Sequence, residues 1–200
     1  MSFSNFMFLI VGRSGSGKTT LAEALCHEYG WSQIQSYTTR PPRYEGEKGH
    51  IFVSDEEFNK LENLVAYTEF NGYRYCATEQ QVNENDIYVI DPAGVRYFAE
   101  HYKGDKQIVL IYLRPRKFTV LKRMLKRGDK LLTVIKRFIH DEKVFENVNN
   151  MPLYLFFDCS DILHHLGIMT EESIDEMVKN IRTGQYPTYS MYKEENNYEI

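Results

Sequence analysis

Cysteine is scarce in this 200-residue chain: Cys26, Cys76 and Cys159 stand far apart, and none has the spacing of a metal-ligand set. An odd, scattered number excludes a disulfide framework and suits a reducing compartment, so the three are read as structural thiols. Long apolar runs are missing as well. The longest near the N-terminus, Phe6 to Val11, is far too short to span a bilayer and lacks the pattern of a signal peptide, so a cytoplasmic protein with no membrane partner is expected. Charge of one sign is not in excess: the net value of −4 gives no argument for nucleic acid, and no such partner is expected. No internal repeat occurs, and no grouping of histidine, serine and cysteine suggests covalent catalysis. Oligomeric state, biological source and pathway are not legible in the sequence.

What is present begins with order in the apolar residues. A hydrophobic content of 42% over 200 residues is enough for one core, with or without a smaller inserted lobe. Phe6 to Val11, Ile87 to Ile90, Ile108 to Leu113 and Leu153 to Phe157 are nearly continuous in apolar residues, as strands covered on both faces should be. Amphipathic segments lie between and after them, with Leu121, Met124 and Leu125, then Ile135, Phe138 and Ile139, then Ile174, Met177, Val178 and Ile181 at helical spacing; all are read as core stripes. The alternation predicts an α/β fold with a mostly parallel sheet flanked by helices. Residues 185–200 are polar and unpatterned, and a disordered tail is expected there.

The stretch Gly12-Arg13-Ser14-Gly15-Ser16-Gly17-Lys18-Thr19-Thr20 fits the pattern of glycine, four residues, glycine, lysine and serine or threonine, between a strand and a helix-like segment, Leu21 to Glu28. Its glycines let backbone N–H groups turn inward around an anion that the positive end of the helix also faces. Lys18 should reach the outer phosphates of ATP, and Thr19 should offer its hydroxyl to Mg2+ bridging them. Thr20, Leu21, Ala24 and Leu25 are expected to begin the buried face of the helix.

Between Ser36 and Asp86 the pattern changes to short aromatic runs with one clear helix candidate, Ser54 to Leu61, opened by a Ser54/Glu57 capping box. Leu64 to Phe70 and Tyr73 to Ala77, joined at Asn71-Gly72, read as a hairpin. Arg40 and Arg43, beside Pro41-Pro42, can each fork two hydrogen bonds to a phosphate. Farther on, Arg114 to Arg137 carries ten Lys or Arg against the single Asp129, and Arg123 and Arg127 share a helix face by spacing. Asp91 ends a buried strand, where it can serve magnesium's water shell, the acceptor base or the N-cap ahead of Pro92.

Ser36, Thr38, Thr39, Arg40 and Arg43, followed in order by Phe52-Val53-Ser54, Phe70 to Thr78, Asp91 to Val95 and the basic segment, resemble the guanylate kinase family over residues 5 to 182. The resemblance implies a P-loop kinase fold with core residues 1–35 and 87–184, an inserted mixed β lobe at 36–86 binding a nucleoside monophosphate, and a helical lid at about 123–137, in one domain over 1–184. It implies Ser36, Arg40, Arg43 and Tyr75 around the acceptor phosphate, with His50 where the family has a tyrosine, and Arg123, Arg127 and Arg137 as lid arginines acting with Lys18 in catalysis. It also implies ATP with Mg2+ as donor, held by the 12–20 loop, with Thr19 and Asp91 as metal residues. The sequence departs from the family at the guanine-reading positions, where Ala66 and Ala77 stand for a glutamate and a serine, leaving Asp91 as the candidate base contact and predicting relaxed base choice. Other readings are a GTPase, for which no Asn-Lys-x-Asp motif is found, a phosphopeptide-binding scaffold, which the intact Lys18-Thr19 disfavours, and a kinase of another small molecule.

Overall fold

The computed structural model describes residues 5–113, 115–145 and 156–158. The expected stripe at Ile174 to Ile181, Cys159, the tail at 185–200 and the first residues of the Leu153 strand lie outside them. The elements run β1 (Phe6–Gly12), α1 (Lys18–Tyr29), β2 (Ser36–Thr38), β3 (His50–Phe52), α2 (Asp55–Phe58), β4 (Leu64–Phe70), β5 (Tyr73–Thr78), α3 (Glu79–Glu84), β6 (Ile87–Val89), α4 (Pro92–His101), β7 (Gln107–Leu113), α5 (Lys117–Lys126), α6 (Leu131–Val144) and β8 (Phe156–Asp158).

They form two four-stranded sheets. The first, in the order β6-β1-β7-β8, is parallel throughout. β1 is central, and its period of two sends Met7, Leu9 and Val11 into one core layer with Tyr88, Ile90, Phe98 and Leu110, and Phe8 and Ile10 into the other with Leu21, Leu25, Trp31 and Ile111. Phe8 stacks on Trp31 with ring centroids 4.5 Å apart, closing the second layer beneath α1. The second sheet, in the order β3-β2-β5-β4, is mixed: β2 pairs β3 in parallel and β5 in antiparallel. Asn71 and Gly72 both have positive φ, 52° and 79°, as the two-residue turn between β4 and β5 requires.

Several sequence expectations change here. α1 buries Leu21, Ala22 and Leu25, whereas Thr20 is exposed and Ala24 only half-buried, because the helix begins one turn earlier, at Lys18. The Ser54/Glu57 capping box is made, but α2 stops at Phe58; two residues beyond its Asn59 cap the chain turns at Leu61, whose amide donates to the Phe58 carbonyl, and Asn63 takes a positive φ. A second helix, α3, follows β5, opened by a Thr78/Gln81 capping box that is visible in the sequence. The lid stripes are core only in part: Met124 is buried with Leu121 packed beside it, and α5 and α6 meet through the small cluster of Val120, Met124 and Val134, whereas Leu125, Ile135 and Ile139 are exposed. The second lid helix also continues beyond Arg137 without a break, to Val144.

Candidate active site

The loop between β1 and α1 is shaped by close approach. A Cβ added to Gly12 would meet Ser16 Oγ at 2.6 Å and the Leu113 carbonyl oxygen at 2.7 Å, so only glycine lets the loop leave β1 beside the end of β7. Gly15 is pressed against α5, where an added Cβ would stand 3.1 Å from both the Val120 carbonyl oxygen and Met124 Cγ. Gly17 caps α1 in the left-handed region without a side-chain bond, leaving the first N–H groups of the helix directed into the loop. The Lys18 ammonium donates to the carbonyls of Gly12 (2.7 Å) and Arg13 (3.0 Å). Burial holds its pKa down to about 8, while Asp141 and Asp91 oppose that shift and Arg127 adds to it. Thr19 and Thr20 are exposed on the first turn of α1.

Two helices close on this loop. From α5, Arg123 Nη1 donates to the Ser16 carbonyl at 3.3 Å. From α6, Asp141 Oδ2 accepts the Ser14 amide at 2.7 Å, and Glu142 pairs with Arg13 and with Lys117. Arg127 and Arg137 share a partner at the far end of α5. Both turn to Asp129, at 2.5 and 3.1 Å, and the Arg127 guanidinium draws its carboxyl below the ordinary range, with Arg137 and Arg43 contributing.

The second sheet gathers the other expected residues by register. Ser36 pairs His50, Thr38 pairs Phe52 and Tyr75, and Tyr75 pairs Thr68. Directly opposed residues share a face, so His50, Ser36, Thr38, Tyr75 and Thr68 all present to one side. His50 Nδ1 lies 2.9 Å from Ser36 Oγ, and its ring meets the Tyr75 ring edge-on at 5.7 Å. Burial, then Arg40, lowers the His50 pKa, so the ring is neutral at neutral pH. Arg40 is buried, 8% exposed, lies over the Phe52 ring and forks both terminal nitrogens onto Glu47 at 3.1 and 2.9 Å. Glu47 also accepts the Arg43 amide at 2.6 Å, and the Arg40 bonds pull its pKa down to about 2. The Arg43 side chain is 65% exposed. Asp91 ends β6 and caps α4, accepting the Gly94 amide at 2.9 Å.

A family model described as guanylate kinase matches residues 5–184. The chain belongs to the guanylate kinase family. It is 35% identical over 171 residues to the guanylate kinase of Neisseria gonorrhoeae, covering 78% of this chain and 80% of that one. It is 34% identical over 153 residues to that of Campylobacter jejuni, covering 68% and 72%. The solved guanylate kinase structure from Anaplasma phagocytophilum superposes with a TM-score of 0.59 over 92% of this chain and 88% of that chain at 22% identity, which supports the same fold.

Within this guanylate kinase family enzyme, a nucleoside monophosphate kinase, four groups at the site escaped the sequence reading. Glu47 and Asp129 neutralise the arginines, and their sequence signal was only that each is an acid amid basic residues. Thr68 was hidden because its place beside Tyr75 follows from strand register. Tyr88, fully buried on β6, directs its hydroxyl to Ser36 across the two sheets, and burial pushes its pKa up. Ala66 pairs Ala77 and both are buried in the same core layer as Tyr88, so neither presents a polar atom to a base. Glu69 lies on the opposite face, hydrogen-bonded to Tyr67.

Proposed function

We propose that the chain transfers the terminal phosphoryl group of ATP to GMP, with the loop at Gly12 to Thr20 as donor site and the face of the β3-β2-β5-β4 sheet that carries Ser36, His50 and Tyr75 as acceptor site. The single observation that carries this reading is a phosphate loop engaged by both lid helices. Arg123 of α5 donates to the Ser16 carbonyl at 3.3 Å, Asp141 of α6 accepts the Ser14 amide at 2.7 Å, and Arg127 and Arg137 meet at Asp129. Arginines brought beside such a loop suit a transition state in which charge is spread over the transferring phosphoryl group.

In this reading the loop amides and Lys18 bind the donor phosphates, and Arg43, Ser36, His50 and Tyr75 grip the acceptor phosphate, with Arg40 held in place beneath them by Glu47. Arg123, Arg127 and Arg137 approach the transferring group from the lid. The acceptor phosphate oxygen attacks in line, so the residues align, neutralise charge and exclude water without forming a covalent intermediate. Thr19 and Asp91 would hold Mg2+. Among the described residues no group of three His, Cys, Asp or Glu forms a protein cage for an ion, and a pair of oxygen donors beside a phosphate loop fits a cation held largely by the nucleotide. When bound, that ion would neutralise charge on the nucleotide phosphates.

The base is read without Ala66 or Ala77; Thr68 and Asp91 are the polar groups left for it. A site with few buried polar groups rejects the wrong base weakly, so GMP is favoured by less than about ten-thousandfold over AMP. ADP release measured with GMP, dGMP, AMP, CMP and dTMP tests the proposal: activity with GMP supports it, and no turnover with any of the five contradicts it.

A further inference from the structure

The donor loop is bonded at its outer side by α6, the helix that leads out of the lid. Asp141 reaches from that helix to the Ser14 amide at 2.7 Å, and its side chain is 13% exposed. The next residue, Glu142, pairs with Arg13 of the loop and with Lys117 at the start of α5. Three consecutive points are therefore tied together: the loop, the first lid helix and the second. An amide N–H bonded to a carboxylate is a strong, directional contact, and it fixes the Arg13–Ser14 peptide plane of the loop.

The other contacts of the loop come from the same two helices: Arg123 of α5 donates to the Ser16 carbonyl, and Arg13 pairs with Glu142 of α6.

We infer that Asp141 is a positioning residue of the donor site, holding the Ser14 amide by its carboxylate oxygen, so that the lid helix α6 forms part of the ATP cradle. The inference rests on the donor-site reading above. Asparagine keeps an oxygen for the Ser14 amide, whereas alanine removes it.

The test is steady-state kinetics of wild type, Asp141→Asn and Asp141→Ala, with ATP and GMP varied separately. Asp141→Ala should raise KM for ATP about tenfold or more, with KM for GMP changed less than about twofold, the loss expected for one hydrogen bond to a charged group. Asp141→Asn should recover most of that KM. A merely structural role would move KM for both nucleotides together. The inference is overturned if Asp141→Ala leaves KM for ATP unchanged or raises both KM values alike, or if Asp141→Asn is no better than Asp141→Ala. Failure of the donor-site reading itself would look different, since wild type would then show no ATP-dependent turnover of GMP.

Discussion

On the proposed assignment, the loop between β1 and α1 meets phosphate with backbone, and the second sheet meets it with side chains. In the loop, Gly12 lies against the Leu113 carbonyl, Gly17 opens α1, and one buried lysine rests on two carbonyl oxygens of its own turn. On the sheet, Ser36, His50 and Tyr75 come from three strands and are brought together by pairing, with Arg40 fixed by the Glu47 carboxylate. Backbone donors need only a short run of residue types at fixed spacing. Side-chain donors on paired strands need the register of the whole sheet, and any one of them can be exchanged for another polar group. The family resemblance carries the same contrast: the loop pattern is complete, while His50, Ala66 and Ala77 depart from it.

Breaking the donor side should have the largest effect. Lys18→Ala removes the ammonium that rests on the Gly12 and Arg13 carbonyls, so turnover should fall about a thousandfold or more with the thermal midpoint little changed. Retention of more than about a tenth of normal turnover with any acceptor would break the contrast at its root. Arg127→Ala should come next, lowering kcat by about a hundredfold with a smaller change in acceptor KM, because Arg127 is held at Asp129 over the cleft rather than in the acceptor sheet. An increase in acceptor KM with unchanged kcat would assign Arg127 to the acceptor side instead.

The ratio of specificity constants for GMP and AMP sharpens the comparison on the side-chain face. It should lie below about ten-thousandfold, and a larger value would show that Thr68, Asp91 or another group rebuilds strong base reading where Ala66 and Ala77 present none. The smallest effect concerns Glu47. Its folded pKa, about 2, lies below its ordinary 4.5, so its pairing with Arg40 adds stability that is fully present above about pH 4.5 and is lost as pH falls toward about 2. Glu47→Gln should therefore lower the thermal midpoint by a few degrees at neutral pH, with the difference from wild type shrinking over that acid window. A difference that stays constant down to about pH 2 would mean that the charge on Glu47 is not what Arg40 needs.

The parallel sheet was legible because β1, β6 and β7 are covered on both faces and so read as unbroken apolar runs. The hairpin was legible from Asn71-Gly72, since few residue pairs accept positive φ twice. β2 and β3 were not, because three-residue strands have too little period to recognise, and their place follows from pairing with β5. The lid stripes misled in part: Met124 is buried, but Leu125, Ile135 and Ile139 carry the same helical period and are exposed, because period gives a face and not what covers it. The acids that hold the arginines, Glu47 and Asp129, and the acids of α6, Asp141 and Glu142, were silent because a carboxylate's partner depends on tertiary approach. Arg13 and Glu142, for example, are 129 residues apart.

The separation of donor and acceptor sites is the claim on which the rest depends, and ligand titration into Lys18→Ala and Arg43→Ala, each with ATP and GMP alone, tests it most directly. Arg43→Ala should weaken GMP about tenfold or more and leave ATP within about twofold, the loss expected for one charge-assisted contact to phosphate. Lys18→Ala should show the reverse. Equal losses for both nucleotides in both variants would contradict two separate sites and, with them, the assignment of the second sheet to the acceptor.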